Sequence, residues 1–321
     1  MKILLTGASG FIGRHLIKRL ITDDNELTCI IRPGTEKRRL QSFDEKVKLI
    51  KLNLSDIGGL ADYLSQTSFD VIIHIGALRG GRKFSKKVFF RANVLSTELL
   101  AENALRNHSK FIFCSSVGVF GAIPLELPAN NRTIRQSDTY YHKTKIESEK
   151  IIQNLVMKGL NAIIIRPAIT YGPGDYGFPY SLVKLVDKNL MRLPESRHQI
   201  HLTDVDLLTE AFYNAIHNNY PTGSAFIVAD HDPVYLDELV NFISQKLHSR
   251  DYSKKLKFSD NLFSLGERIA TFFNNDLWKS RFQLLSYSWY YEVKDSNSEL
   301  KLPLVKTIPT FNKVIYWYQK K

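Results

Sequence analysis

Residues 6–13 read TGASGFIG and close the apolar run KILLT (2–6), so a short strand feeds straight into a glycine-rich turn. Gly7, Gly10 and Gly13 stand three apart. A dinucleotide needs this arrangement. The first glycine permits a tight turn, the second lets backbone approach the pyrophosphate, and the third lets the following helix pack closely on its strand. The phosphates then meet unpaired N–H groups at the helix N-terminus.

Outward from this turn, short apolar runs alternate with helix-length amphipathic segments. The strand candidates are residues 2–6, 27–31, 47–52, 70–75, 110–116 and 161–166, separated by helical stretches such as 13–22 and 92–105. Such runs fill a parallel sheet buried on both faces. The rhythm predicts an α/β doubly wound sheet, a Rossmann fold with right-handed crossovers. It weakens after YGPGD (171–175), where shorter elements follow: a helix at 205–216, a strand at 224–229 and a helix at 235–247. The expected division is a dinucleotide-binding domain over 1–172 and a smaller α/β, mainly substrate-binding region over 173–321.

The 321 residues are 44% hydrophobic and 24% charged, the balance of a packed globular chain. No apolar run approaches the ~20 residues of a membrane span. MKILLTGASG turns polar too early for a signal peptide. A cytoplasmic protein is expected. Cys29 and Cys114 fall in strand-like runs, and no disulfide or metal site is expected. Net charge is +12, from 44 Lys and Arg against 32 Asp and Glu, which suits anionic ligands. The densest basic cluster, RGGRKFSKKVFFR (79–91), comes with no zinc-finger spacing or aromatic RNP-like strand, so no specific nucleic-acid partner is expected.

The second strand candidate leads to Arg32, nineteen residues after Gly13. An acidic residue near here would hold the ribose hydroxyl of NAD, whereas an arginine can hold the 2′-phosphate of NADP. NADP(H) is favoured, with NAD(H) as the alternative. Further on, TYYHKTK (139–145) places Tyr141 and Lys145 four apart, on one face of a helix; Tyr140 has no comparable partner. A phenol has a pKa of ~10. A cation ~6 Å away at an effective dielectric of ~20 contributes about 3 kcal/mol, roughly two pKa units. A tyrosine so placed becomes a proton donor or acceptor near neutral pH.

Together, TGASGFIG, YHKTK and FIFCSS make the chain similar to the extended short-chain dehydrogenase/reductase family, and the likeness runs through most of its length. DVIIHIGA (70–77), NVLSTELL (93–100), IIIRPAITYGPGD (163–175) and QIHLTDVD (199–206) resemble further family segments in the right order. The resemblance implies that Ser116 hydrogen-bonds the substrate oxygen, with Ser115 the second choice. It implies that Tyr141 transfers the proton and that Lys145 holds the nicotinamide ribose. It implies cofactor contacts at Gly7, Gly10, Phe11, Ile12, Gly13, Arg32, Asn53, Leu54, Ala77, Lys145 and Pro167. Asn53 departs from the Asp that many relatives carry there. Asn93 is a candidate support for the active-site helix, Asp204 a cap for the helix from Val205, and His201 a structural histidine. A homodimer through helices around 85–106 and 141–158 is a further family expectation.

Three activities compete. One is an NAD(P)-dependent oxidoreductase interconverting a secondary alcohol and a ketone. The second is a nucleotide-sugar epimerase or dehydratase that retains its cofactor. The third is a sensor that binds NADP(H) without turnover. The Ser116–Tyr141–Lys145 set argues against the sensor. Arg32 leans toward net redox turnover, as does the look of RPAITYG, which resembles the hydroxysteroid-dehydrogenase-like and dihydroflavonol-reductase-like branches. The substrate is a small molecule that the residue order does not name.

Overall fold

The computed structural model describes residues 1–36, 39, 47–79, 84–252, 257–273 and 276–321. Residues 80–83 of the basic segment lie outside the described residues. In chain order the first half runs β1 (Lys2–Thr6), α1 (Phe11–Leu20), β2 (Glu26–Ile31), β3 (Val47–Lys51), α2 (Ile57–Ser65), β4 (Val71–His74), α3 (Lys86–Phe90), α4 (Ser96–Arg106), β5 (Lys110–Cys114), α5 (Tyr140–Val156) and β6 (Ala162–Pro167). The second half adds β7 (Ile169–Tyr171), α6 (Phe178–Asp187), β8 (Leu193–Pro194), β9 (Gln199–Ile200), β10 (Leu202–Asp204), α7 (Val205–His217) and β11 (Ala225–Val228). It ends with β12 (Val234–Tyr235), α8 (Leu236–His248), β13 (Lys257–Phe258), α9 (Asp260–Phe272), α10 (Asp276–Ser286), α11 (Lys294–Glu299), α12 (Thr307–Thr310) and α13 (Asn312–Gln319).

Seven strands form one sheet in the order β11-β6-β5-β4-β1-β2-β3. Every pairing within it is parallel. The sheet is Rossmann-like, as the βαβ rhythm predicts. Strand alternation explains how one apolar sequence fills two cores. Ile3, Leu5, Ile73, Ile112, Ile163 and Ile165 face one side, with Leu16 of α1 and Phe212 of α7. Leu4, Ile72, Phe111, Phe113 and Ile164 face the other, with residues of α2, α4 and α5. A third core gathers α6, α8 and α13 around the buried Trp289.

The sheet crosses the expected boundary. Its edge strand β11 comes from beyond residue 172, paired to β6 from Ala225↔Ile164 to Val228↔Pro167. Residues 168–224 thus connect two neighbouring strands. The helix expected over 92–105 is also interrupted, because Arg91–Leu95 form a π-helical turn before α4. Such turns occur often at functional sites. The residues 85–106 and 141–158 expected to self-associate expose Phe90 and Met157 as their large apolar side chains. The outward surface of α5 is Lys143, Lys150 and Asn154, which is not an apolar stripe. Among the described residues, no helix is long and apolar enough to cross a membrane.

Candidate active site

The chain order reverses between β1 and β4, where ligands of open α/β sheets sit beyond the strand C-termini. A cavity of about 600 Å³ opens there. All thirteen residues expected from the sequence line it, including the glycine turn, Arg32, Asn53, Ala77, Ser116, Tyr141, Lys145 and Pro167.

The glycine wall is built by close backbone approach. Gly7 has φ +76°, and a Cβ on it would lie 2.6 Å from the Gly76 nitrogen. A Cβ on Gly13 would lie 2.3 Å from the Gly7 carbonyl oxygen. Helix α1 begins at Gly10 with no side-chain cap and no acidic residue in its first turn. Its orphan N–H groups and positive dipole end suit a pyrophosphate. The turn is held from beneath by His74, whose Nδ1 meets Thr6 Oγ1 at 2.6 Å and whose Nε2 meets Thr97 Oγ1 at 3.0 Å. Burial pushes this imidazole down to about 3, so it stays neutral.

The opposite wall comes from α5 and the end of β5. Thr139 caps α5 by accepting from the His142 N–H at 3.1 Å. Lys145, 3% exposed, donates to the Cys114 carbonyl at 2.6 Å, and its Nζ lies 5.9 Å from the centre of the Tyr141 ring. Burial lowers this lysine to about 8. The expectation that the lysine acidifies the phenol does not hold in this arrangement. Burial pushes the Tyr141 phenol above its ordinary value, and Arg79 partly opposes it. The reason is that phenolate and ammonium share one desolvated pocket, which penalises both charged forms.

Ser116 Oγ accepts from the Gly118 N–H at 3.0 Å, capping the short 3₁₀ turn Val117–Phe120. It caps a turn and lines the cavity at once, and its O–H remains as a donor. Ser115 is committed elsewhere, donating to Glu149 Oε1 at 2.5 Å. Glu149 also accepts from Arg166 Nε at 2.9 Å and Nη2 at 2.6 Å, with Arg135 3.2 Å away. Asn93, buried in the π-turn, ties the site together: its Oδ1 accepts from Leu78 N–H at 2.7 Å and its Nδ2 donates to Thr144 Oγ1 at 3.0 Å. Asp204 caps α7 by accepting from the N–H of Asp206 and Leu207. His201 accepts from the Tyr291 N–H and donates to the Asp230 carbonyl, bridging two backbone segments.

Sequence reasoning missed Arg39, Arg79 and Asp175 as cavity residues. Arg79 stood in the basic cluster but had no spacing partner. Asp175 closes YGPGD, and only the fold reveals that burial pushes its carboxyl up to about 6. Its Oδ2 is buried without a hydrogen-bond partner.

The lysine's low pKa gives a signed expectation for stability. Between about pH 8 and the unfolded value of ~10.5, the unfolded chain carries a proton on Lys145 that the folded chain has lost, so the contribution of this lysine to folding stability rises with pH there. The slope of unfolding free energy against pH over this window should be more positive in the wild type than in Lys145→Met, by up to about 1.4 kcal/mol per pH unit. Parallel slopes from urea titrations would rule out the depressed lysine.

Comparison with known proteins gives the family. The family model described as "NAD dependent epimerase/dehydratase family" matches residues 3–214. The chain is 28% identical over 233 residues to a dTDP-4-dehydro-6-deoxy-D-allose reductase of Streptomyces bikiniensis, covering 63% of this chain and 69% of that protein. It is 28% identical over 250 residues to the UDP-glucose 4-epimerase of Vibrio cholerae, covering 74% and 73%. The chain spans between 61% and 69% of the length of four of the curated relatives it matches. The structure of a UDP-glucuronic acid 4-epimerase from Bacillus cereus in complex with NAD superposes with a TM-score of 0.77 at 18% identity, covering 100% of this chain and 99% of that one.

Proposed function

The chain belongs to the NAD dependent epimerase/dehydratase family, and we propose that it is an NAD(P)-dependent oxidoreductase interconverting a secondary alcohol and a ketone. The observation that carries this reading is the facing of the glycine turn by Ser116, Tyr141 and Lys145 across one cavity. The uncapped first turn of α1 and the tight Gly7–Gly76 approach fit a dinucleotide. When bound, the nicotinamide supplies the hydride chemistry. The chain's own work is to orient the substrate and move a proton. Ser116 donates to the substrate oxygen. Tyr141 delivers its phenolic proton to that oxygen on reduction and takes it back on oxidation. Lys145, anchored at the Cys114 carbonyl, holds the ribose.

NADP(H) is the proposed cofactor because Arg32 and Arg39 both line the cavity beyond β2. A charge-assisted bond to a 2′-phosphate contributes about 1.5–3 kcal/mol. Arg32→Ala should therefore weaken NADPH binding by roughly 10- to 100-fold and leave NADH within about twofold. Equal loss for both cofactors, measured by fluorescence titration, would remove the assignment.

A second reading has its own observation. Arg79 lies exposed on the cavity wall, its guanidinium 5.8 Å from the centre of the Tyr141 ring, where a diphosphate could meet it. This favours a nucleotide-sugar epimerase or dehydratase, as the Vibrio cholerae relative's name also does. The purified protein separates the two. Oxidised cofactor retained through gel filtration selects the epimerase or dehydratase. Protein free of cofactor that consumes NADPH with a ketone panel selects the reductase.

A further inference from the structure

Helix α9 turns an apolar face to solvent. Leu262, Leu265, Ile269 and Phe272 recur at three- and four-residue spacing, which places them along one side. They are 54%, 52%, 50% and 81% exposed, and the adjoining Phe273 is 71% exposed. The inward side is separate: Phe263 and Ala270 are buried, and Gly266 packs on Phe282 of α10. Large side chains this exposed in one contiguous row mark an interaction surface.

Both signs of charge flank the row, Glu267 and Arg268 lining one depression with Phe272. The acids of α9 are tied to neighbouring elements, Asp260 accepting from the Ser196 N–H at 3.3 Å and Glu267 from Gln283 Nε2 at 2.8 Å. The exposed Arg268 precedes Ile269 in the row, and on α10 the Arg281 guanidinium lies 5.0 Å from the half-exposed Trp278 ring. The whole chain carries +12. Apolar and tryptophan side chains rimmed by arginines suit an anionic lipid surface.

We propose that the exposed apolar row of α9, with Trp278 and Arg281 of α10, docks this protein peripherally on anionic bilayers. With 13 residues, α9 is too short to span and would lie in the interfacial plane. Because α10 also contributes Leu284 to the cavity, docking and substrate access share one element.

The test is sedimentation of the full chain with phosphatidylcholine vesicles, with and without phosphatidylglycerol. The wild type should bind the mixed vesicles, more weakly at high salt and with phosphatidylcholine alone. Phe272→Ser with Phe273→Ser should reduce partitioning at least ~tenfold. Both sites are exposed, so unchanged thermal melting is expected. Arg268→Glu with Arg281→Glu should abolish the preference for phosphatidylglycerol. Absence of vesicle binding by the wild type overturns the proposal, as does undiminished binding by the double serine variant. A wild-type dimer that the serine variant converts to monomer in lipid-free gel filtration also overturns it, assigning the face to a second copy.

Discussion

Tyr141→Phe should lower kcat for ketone reduction by ~10³-fold while changing the dissociation constant for NADPH by less than about threefold. The phenol is raised by burial, so at neutral pH it holds its proton and is set to donate. Reduction should therefore run at a nearly constant rate from about pH 6 to 8, the range over which the phenol stays protonated. Oxidation of the corresponding alcohol needs the phenolate and should accelerate as pH rises through this range. The phenylalanine variant should lose that dependence along with its turnover. Substantial turnover in Tyr141→Phe, or a pH profile that survives it, would sink the proton-transfer role. A variant that also lost NADPH would instead point to a binding role.

Glu149→Ala should destabilise the fold by about 3–5 kcal/mol. Arg166 is 0% exposed and spends its Nε and Nη2 on this carboxylate. Alanine would leave a guanidinium buried with Asn131 Oδ1, at 2.7 Å from Nη1, as its remaining side-chain hydrogen-bond acceptor among the described residues. It would also strand the Ser115 hydroxyl. Removing one member of a buried pair costs more than the pair contributes, because the other charge stays desolvated. Glu149 lies one turn beyond Lys145 on α5, and Ser115 adjoins Ser116, so the damage should reach the site. Glu149→Gln keeps one acceptor oxygen and should lose less stability than alanine. Urea denaturation decides the matter: a shift below about 1 kcal/mol in Glu149→Ala would mean that water replaces the carboxylate.

Much of this protein was legible in its residue order. The sheet strands could be read because a parallel sheet buried on both faces demands unbroken apolar runs. The glycine turn could be read because its backbone leaves no room for Cβ at Gly7 or Gly13. Tyr141 and Lys145 could be paired because helical geometry alone brings positions four apart together. These are local rules, and they act within one strand, one turn or one helix. The tertiary structure decided what depends on residues distant in sequence. It brought β11 beside β6 across the expected division near residue 172. It set Arg39, Arg79 and Asp175 around the same cavity as the glycine turn. It also reversed the expected balance at Tyr141, since a lysine four positions away fixes a distance, whereas the surrounding fold fixes how much water remains to stabilise a phenolate.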